Sequence, residues 1–239
     1  MDLFLVFIFW GYFCVMGMGL FRILGPVMVG PSSSHTAGAV RIGLVARSVA
    51  KGEISKVKFY LHGSFRNTYK GHGTDRALTA GILGFKTNDE RIIDALDIAK
   101  KECIELEFIK SDLGSVHPNT VKIEVFNKQN EKSSIMGSSI GGGGIKIIEI
   151  NGIRVNTSCN YDTVIIKHEK ETLIICKILN LIENSNTDLI SLRINQCANE
   201  NRQITILEIN NIEDSSKSLF FTQLASISGV LDITNIEKI

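Results

Sequence analysis

Three short polar segments in the first half of this 239-residue chain carry side chains suited to acid–base and carboxylate chemistry. The first is Ser32-Ser33-Ser34-His35-Thr36, with Pro31 just before it and an apolar-periodic stretch after it. That is the pattern of a helix start. The free N–H groups of a first helical turn, joined by serine hydroxyls, make a receptor for a carboxylate. An imidazole beside them, here His35, can accept or relay a proton near neutral pH. The same residues also describe an ordinary serine cap beside a hydrogen-bonded histidine. The second segment is His62-Gly63-Ser64, and the third is Lys70-Gly71-His72-Gly73-Thr74-Asp75. Lys70 is a candidate carboxylate anchor. Thr74 or Asp75 can cap a following helix, and Asp75 can instead orient an imidazole. His117, within Gly114-Ser115-Val116-His117-Pro118-Asn119, is a further loop candidate. Four of the five histidines thus fall in glycine- or proline-marked loops, where α/β proteins collect active-site groups.

Two other chemistries compete for these residues. A zinc centre on His35, His62 and His72 has no helical HExxH spacing and would need convergence in space. A serine hydrolase would present a GxSxG elbow, which the sequence lacks. No metal-ligating set is therefore assigned to this chain.

The elements that must position these segments follow from periodicity. Val27 to Val29 reads as a short strand, and a helix from Thr36 to Ala50 has Val40, Leu44, Val45 and Val49 on its apolar side. Lys56 to Leu61 reads as a strand ending at His62, and the Lys70–Asp75 loop leads into helical ALTAGILGF. Asn88 is the expected cap of the next helix, and Glu105 to Ile109 the next strand. From Val121 the period becomes two, with a turn at Asn127 to Glu131 and a returning strand from Ser133 to Ile140. Gly141 to Gly144 reads as a flexible loop with some phosphate-binding potential, and Asn151-Gly152 as a tight turn. The first domain is expected to span residues 20–158. Residues 160–239 then read β-α-β-β-α-β, an order that suggests a ferredoxin-like sandwich. Its strands are expected at Asp162–Lys167, Leu189–Asn195, Gln203–Ile209 and Val230–Ile236, with a hairpin at Asn199-Glu200-Asn201. The fold class is α/β (α+β).

Composition narrows the function classes. There are 26 Lys and Arg against 25 Asp and Glu, a balance that gives no nucleic-acid footprint. Cys14, Cys103, Cys159, Cys176 and Cys197 contain no CxxC pair, so neither a disulfide framework nor a self-contained iron–sulfur or zinc motif is present. They read as small buried hydrophobes in a reducing cytoplasm. The run LFLVFIFWGYFCVMGMGLF, Leu3 to Phe21, carries no charge and is long enough for a bilayer. Residues 1–19 therefore admit three readings: a start upstream of the true one, with Met16 or Met18 opening the chain instead, a membrane anchor, or a buried segment. No basic region precedes the run, which argues against a signal peptide.

GPVMVGPSSSHTAGAVRIG followed by LHGSFRNTYKGHGTDRALTAGILGF resembles the beta chain of the oxygen-sensitive iron–sulfur L-serine dehydratases, and GSSIGGGGIKIIEING resembles the same family's glycine-bearing strand connection. The resemblance covers most of Gly25 to Ile150. It implies L-serine deamination to pyruvate and ammonia in the cytoplasm, together with an alpha chain whose cysteines hold a [4Fe–4S] cluster. The cluster's open iron would bind the substrate and make its hydroxyl a better leaving group. On this reading Ser32, Ser33, Ser34 and Thr36 grip the substrate carboxylate, and His35 is the base or proton relay. His72 and Lys70 supply orientation and charge, while His62, Gly63, Ser64, Gly71, Gly73, Thr74 and Asp75 complete the substrate-facing loops. Chains of that family begin close to the equivalent of Leu20, which favours a start-site artefact for Met1 to Gly17 over a membrane enzyme. The alternative class is a non-catalytic subunit that binds amino acids or directs assembly.

Residues 160–239 resemble the ACT domain that ends such beta chains, which implies an ACT-mediated oligomer. The family's ligand loop carries a proline and a glycine between its first strand and first helix. Here the stretch is Lys167-His168-Glu169-Lys170-Glu171-Thr172-Leu173-Ile174, and Leu173 stands where the glycine is expected. Tight amino-acid binding there is expected to be lost, with Thr172 still able to cap the helix.

Overall fold

The computed structural model describes residues 27–196, 201–212 and 214–239. The apolar run from Leu3, Cys14, Cys197 and the turn residues Asn199-Glu200 lie outside them. Among the described residues no helix is long and apolar enough to cross a membrane.

Alternating side chains build the first sheet. In β1 (Ile54–Leu61) Val57, Phe59 and Leu61 are buried while Lys56, Lys58 and Tyr60 stay partly exposed. The same period of two runs through β3 (Thr120–Asn127), whose Val121, Ile123 and Val125 point to the same core. With β2 (Glu105–Lys110), β4 (Lys132–Gly141), β5 (Gly144–Ile150) and β6 (Ile153–Thr157) the order is β2-β1-β3-β4-β5-β6. β1 and β2 are parallel, and the other pairs are antiparallel. The expected flexible loop at Gly141–Gly144 is instead a closed hairpin. Gly141 pairs with Gly144, and Gly142 and Gly143 take the positive φ values that a two-residue turn needs.

Helices cover the apolar face. A π-helical turn, Ser33–Ala37, runs directly into α1 (Gly38–Val49), so the helix begins earlier than its apolar period shows. α2 (Gly63–Thr68) is short, and α3 (Thr74–Leu83) crosses α1 at a glycine pair. A Cβ added to Gly81 would lie 2.2 Å from Val40 O and 2.6 Å from Gly43 Cα, so the two backbones touch. A 3₁₀ turn, Glu90–Asp94, precedes α4 (Ala95–Lys101).

Several expected boundaries move for identifiable reasons. Val27 to Val29 forms no strand. It is an irregular segment outside the sheet that ends in a bend at Val29, with Val29 N–H donating to Thr87 O and the Thr87 hydroxyl donating to Val27 O. Asp89 rather than Asn88 caps the 3₁₀ turn, because its carboxylate accepts from both the backbone and the guanidinium of Arg91. Gly73 rather than Thr74 or Asp75 stands at the α3 N-cap, in a left-handed conformation.

After Thr157 the chain forms β7 (Asp162–Glu169), α5 (Thr172–Asn184), β8 (Asp188–Gln196), β9 (Arg202–Asn210), α6 (Asp214–Ser226) and β10 (Val230–Ile236). Their sheet has the order β10-β7-β9-β8, antiparallel throughout. One face packs Val164, Ile166, Leu207 and Ile209 against Ile174, Ile178, Phe220 and Leu224 of α5 and α6. The opposite face sends Ile165, Ile204, Ile206 and Ile236 into the core of the first sheet. Each such buried aliphatic side chain contributes roughly 2 kcal/mol. Glu171, not Thr172, is the α5 N-cap, and Leu173 stands 59% exposed in its first turn. His168, on β7, is fully buried between Glu169 O and the Thr205 hydroxyl, a structural role.

Candidate active site

The Ser32 hydroxyl accepts the His35 N–H at 3.1 Å, and the Ser32 carbonyl accepts the Thr36 N–H at 2.8 Å. These bonds start the π-helical turn and leave Ser33 and Ser34 at its mouth, partly exposed. Their N–H groups precede Thr36 N–H, the first intrahelical backbone donor, and so lie where the helix carries its partial positive charge.

The turn aims His35 at the segment that follows β1. Its Nε2 lies 3.2 Å from the Ser64 hydroxyl. Phe65 meets the imidazole edge to face, with ring centroids 5.3 Å apart, and the tilted His72 ring lies at 4.7 Å. Burial, helped by the charge of His72, holds the His35 pKa below the ordinary imidazole range. A neutral imidazole at pH 7 is a competent proton acceptor. Ser64 is fixed in turn by its N–H bond to Pro118 O at 2.8 Å. Gly63 makes that approach possible: its φ is +54°, and an added Cβ would lie 2.5 Å from Pro118 O. The expected His62-Gly63-Ser64 loop is therefore the N-cap and first turn of α2.

His62 has a different chemical character from His35. The Leu113 N–H donates to its Nδ1 at 3.1 Å, so the proton of the neutral ring sits on Nε2, which becomes a donor. Asp112 lies 3.5 Å from the same nitrogen, but it is largely exposed and its Oδ1 already accepts the Gly114 N–H at 2.9 Å. His117 is exposed, with its Nδ1 taken by the Asn119 N–H.

The remaining predicted residues scatter around this centre. Thr36 and Thr74 are buried, and their hydroxyls are closed off from solvent. Lys70 and Gly71 are exposed, and the Lys70 ammonium lies 5.9 Å from the Tyr69 ring. Gly73 takes up the turn before α3, and Asp75 accepts the Arg76 N–H at 2.9 Å. Burial raises the Asp75 carboxyl above the usual carboxylate range. Sequence reasoning missed Phe65 and Pro118, which hold His35 and Ser64 in place. Phe65 carried a signal in its position directly after Ser64, whereas the Pro118 carbonyl contact carried none.

Among the described residues no three His, Cys, Asp or Glu side chains converge as a metal site. Cys103 and Cys176 are exposed, and Cys159 is buried, its thiol pushed up to about 12 chiefly by that burial.

Comparison with known proteins places this geometry in context. Residues 19–149 match the family model described as "Serine dehydratase beta chain". The chain is 44% identical over 173 residues to "L-serine dehydratase, beta chain" of Peptoniphilus asaccharolyticus, covering 72% of this chain and 78% of that protein. It is 38% identical to "Probable L-serine dehydratase, beta chain" of Bacillus subtilis (strain 168), covering 91% of this chain and 97% of the relative. A third relative, "L-serine dehydratase" of Helicobacter pylori (strain J99), is 28% identical, and there the match spans 76% of this chain but 45% of the longer protein.

Proposed function

Because this chain belongs to the serine dehydratase beta-chain family, we propose that it is the beta subunit of an L-serine ammonia-lyase that works with an alpha chain. The observation that carries the proposal is the convergence of a helix start and a neutral imidazole, His35, held by Ser64 and Phe65. The turn at Ser32–Ser34 receives the substrate carboxylate through N–H groups and hydroxyls, which lowers the cost of developing negative charge at the neighbouring α-carbon. His35 accepts the α-proton. His62, with a proton on Nε2, donates a hydrogen bond rather than taking a proton. Loss of the α-proton and of the β-hydroxyl as water gives 2-aminoacrylate. That species tautomerises to an imine, and water replaces the nitrogen to give pyruvate and ammonia.

Among the described residues Cys103, Cys159 and Cys176 belong to no metal-binding cluster, and the sequence holds no CxxC ligand motif for a [4Fe–4S] cluster. In this proposal the cluster belongs to the alpha chain, and no step of the chemistry is assigned to it on this chain. The match to under half of the longer Helicobacter pylori protein fits a catalytic unit assembled from two parts. A cytoplasmic location suits an assembly of this kind, since reducing compartments preserve thiolate-held clusters.

Residues 160–239 act as an ACT-like unit that serves oligomerisation rather than tight amino-acid binding. Support comes from the order strand, helix, strand, strand, helix, strand and from the sheet order β10-β7-β9-β8. Residues 20–158 form the substrate-facing unit. The two differ as sheets but share a core, so residues 160–239 alone would expose Ile165, Ile204, Ile206 and Ile236.

The test is anaerobic reconstitution of both chains with assay of pyruvate and ammonia from L-serine. His35→Gln should lower kcat by about 10²-fold or more while the complex and its cluster absorbance persist. Turnover that survives His35→Gln undiminished would remove His35 from the chemistry. Absence of turnover by the intact reconstituted wild-type complex would leave a binding or assembly subunit as the function.

A further inference from the structure

Ser64 owes its place to a connection that is itself mostly exposed. Between β2 and β3 the residues Gly114, Ser115, His117 and Pro118 are all exposed. Connections of this kind are ordinarily the mobile part of a fold. Here the same connection holds the start of α2 through two backbone carbonyls. Pro118 O accepts the Ser64 N–H at 2.8 Å, and Thr120 O accepts the His62 N–H at 3.0 Å. The 3.2 Å approach of Ser64 to His35 is then only as fixed as the segment from His117 to Thr120.

That segment is clamped at its base by a buried hydroxyl pair. Thr120 opens β3 opposite Ser138 of β4, and the two residues are 0% and 2% exposed. On the same face further along β3, Lys122 and Glu124 stay partly exposed. The Thr120 hydroxyl donates to His117 O at 2.5 Å, which commits its single proton. The 2.7 Å contact between Thr120 and Ser138 is therefore a bond that Ser138 donates. A valine at 120 would fill the same volume but leave the Ser138 hydroxyl without its acceptor and His117 O without its donor. The adjacent Ser139 serves the other half of the site. Its N–H donates to Asn119 O at 2.9 Å, and its side chain lies against Gly38, where an added Cβ would collide with the hydroxyl. Gly38 follows directly on the π-helical turn that carries His35. Two neighbouring residues of β4 thus back both partners of the His35–Ser64 contact.

We propose that Thr120 is a positioning residue: through the segment from His117 to Thr120 it holds the Ser64 hydroxyl on His35. Its effect on turnover rests on the reading of His35 as the proton acceptor, because Ser64 steers that imidazole. Without the Thr120 hydroxyl, Pro118 O drifts, Ser64 follows and His35 loses its alignment, while the Ser32–Ser34 turn keeps its grip on the carboxylate. The loss therefore falls on kcat and not on KM.

Kinetics of the reconstituted complex and hydrogen exchange of the full chain test this with Thr120→Val, Thr120→Ser and Ser64→Ala. Thr120→Val should lower kcat roughly tenfold with KM unchanged, and Thr120→Ser, which keeps the hydroxyl, should restore it. In a Ser64→Ala background the same Thr120→Val change should lower kcat less than about twofold, since both residues act through one contact. Thr120→Val combined with Ser138→Ala orphans no side-chain donor, so it takes the place of the single variant if that one folds poorly, with the same result expected. In hydrogen exchange, which needs no alpha chain, the Ser64 and His62 N–H groups should exchange at least about tenfold faster in Thr120→Val, with amides in the middle of β1 unchanged. Equal kcat losses in the two backgrounds, or failure of Thr120→Ser to restore kcat, would overturn the positioning role. Should the wild-type complex turn over no serine, the lyase reading falls and exchange alone decides. Faster exchange at Ser64 then upholds Thr120 as its anchor, and unchanged exchange overturns it.

Discussion

Replacing Gly81 by alanine should destabilise the protein even though alanine is the better helix former. The two effects oppose each other, and their sizes decide the outcome. Inside α3 the substitution gains about 1 kcal/mol of helix propensity. Against it, the new Cβ would lie 2.2 Å from Val40 O, 2.6 Å from Gly43 Cα and 2.7 Å from Leu44 N. All three are backbone atoms of α1, so no side chain can rotate away. Relief requires α1 and α3 to separate by about 1 Å, a gap that forfeits a quarter to a half of each dispersion contact across it. The helices bury Val40, Ile42, Leu78 and Ile82 in this region, so the gross cost stands at about 3–4 kcal/mol, beyond the usual range for overpacking. The net loss is then about 2–3 kcal/mol, or roughly 5–10 °C in Tm for a chain of this size. The same shift moves the N-terminal ends of both helices, and with them the 4.7 Å approach of His35 to His72. Urea and thermal melts of Gly81→Ala measure the effect. Gly71→Ala is the control, because its added Cβ meets nothing closer than 3.8 Å, and it should stay within about 0.5 kcal/mol of wild type. A Gly81→Ala protein as stable as wild type would refute the backbone contact.

Two further outcomes follow from ionisation. His35 must be neutral to accept a proton, and its pKa is lowered first by burial and then by His72, so kcat/KM for L-serine should rise through a pKa below the ordinary 6.5 and level off above it. Removing the positive neighbour in His72→Gln should move that acid limb to higher pH, and a limb that stays put or moves lower would count against the pairing. With its thiol near 12, native Cys159 should hold only about one part in 10⁴ as thiolate at pH 8 and resist iodoacetamide until denatured. The exposed Cys103 and Cys176 should label first, and peptide mass spectrometry that finds Cys159 labelled alongside them would refute its burial.

The sequence by itself determined what depends on neighbours in the chain. The period of two in Val121, Ile123 and Val125 marks β3, Asn151-Gly152 closes the β5–β6 turn, and the serines before His35 mark a helix start, because these signals act over a few residues. It also named most of the residues around His35. Tertiary structure alone decided how they meet. The Ser64 hydroxyl reaches His35 across 29 positions, and the Leu113 N–H fixes the proton on His62 from 51 positions away. No local period encodes such contacts, since they arise from the register of β1 on β3 and the crossing of α1 on α3. Local signals misled where a distant partner outweighed them. Val27 to Val29 has strand-like residues, yet bonds to Thr87 hold it outside the sheet, and the four glycines from Gly141 look flexible but close a hairpin once β4 and β5 pair. Likewise, a hydrophobic period shows that β7 and β9 have buried faces. Only packing sends Ile165, Ile204 and Ile206 into the first sheet's core and leaves Arg193 beside a cleft, because burial is decided by what lies opposite.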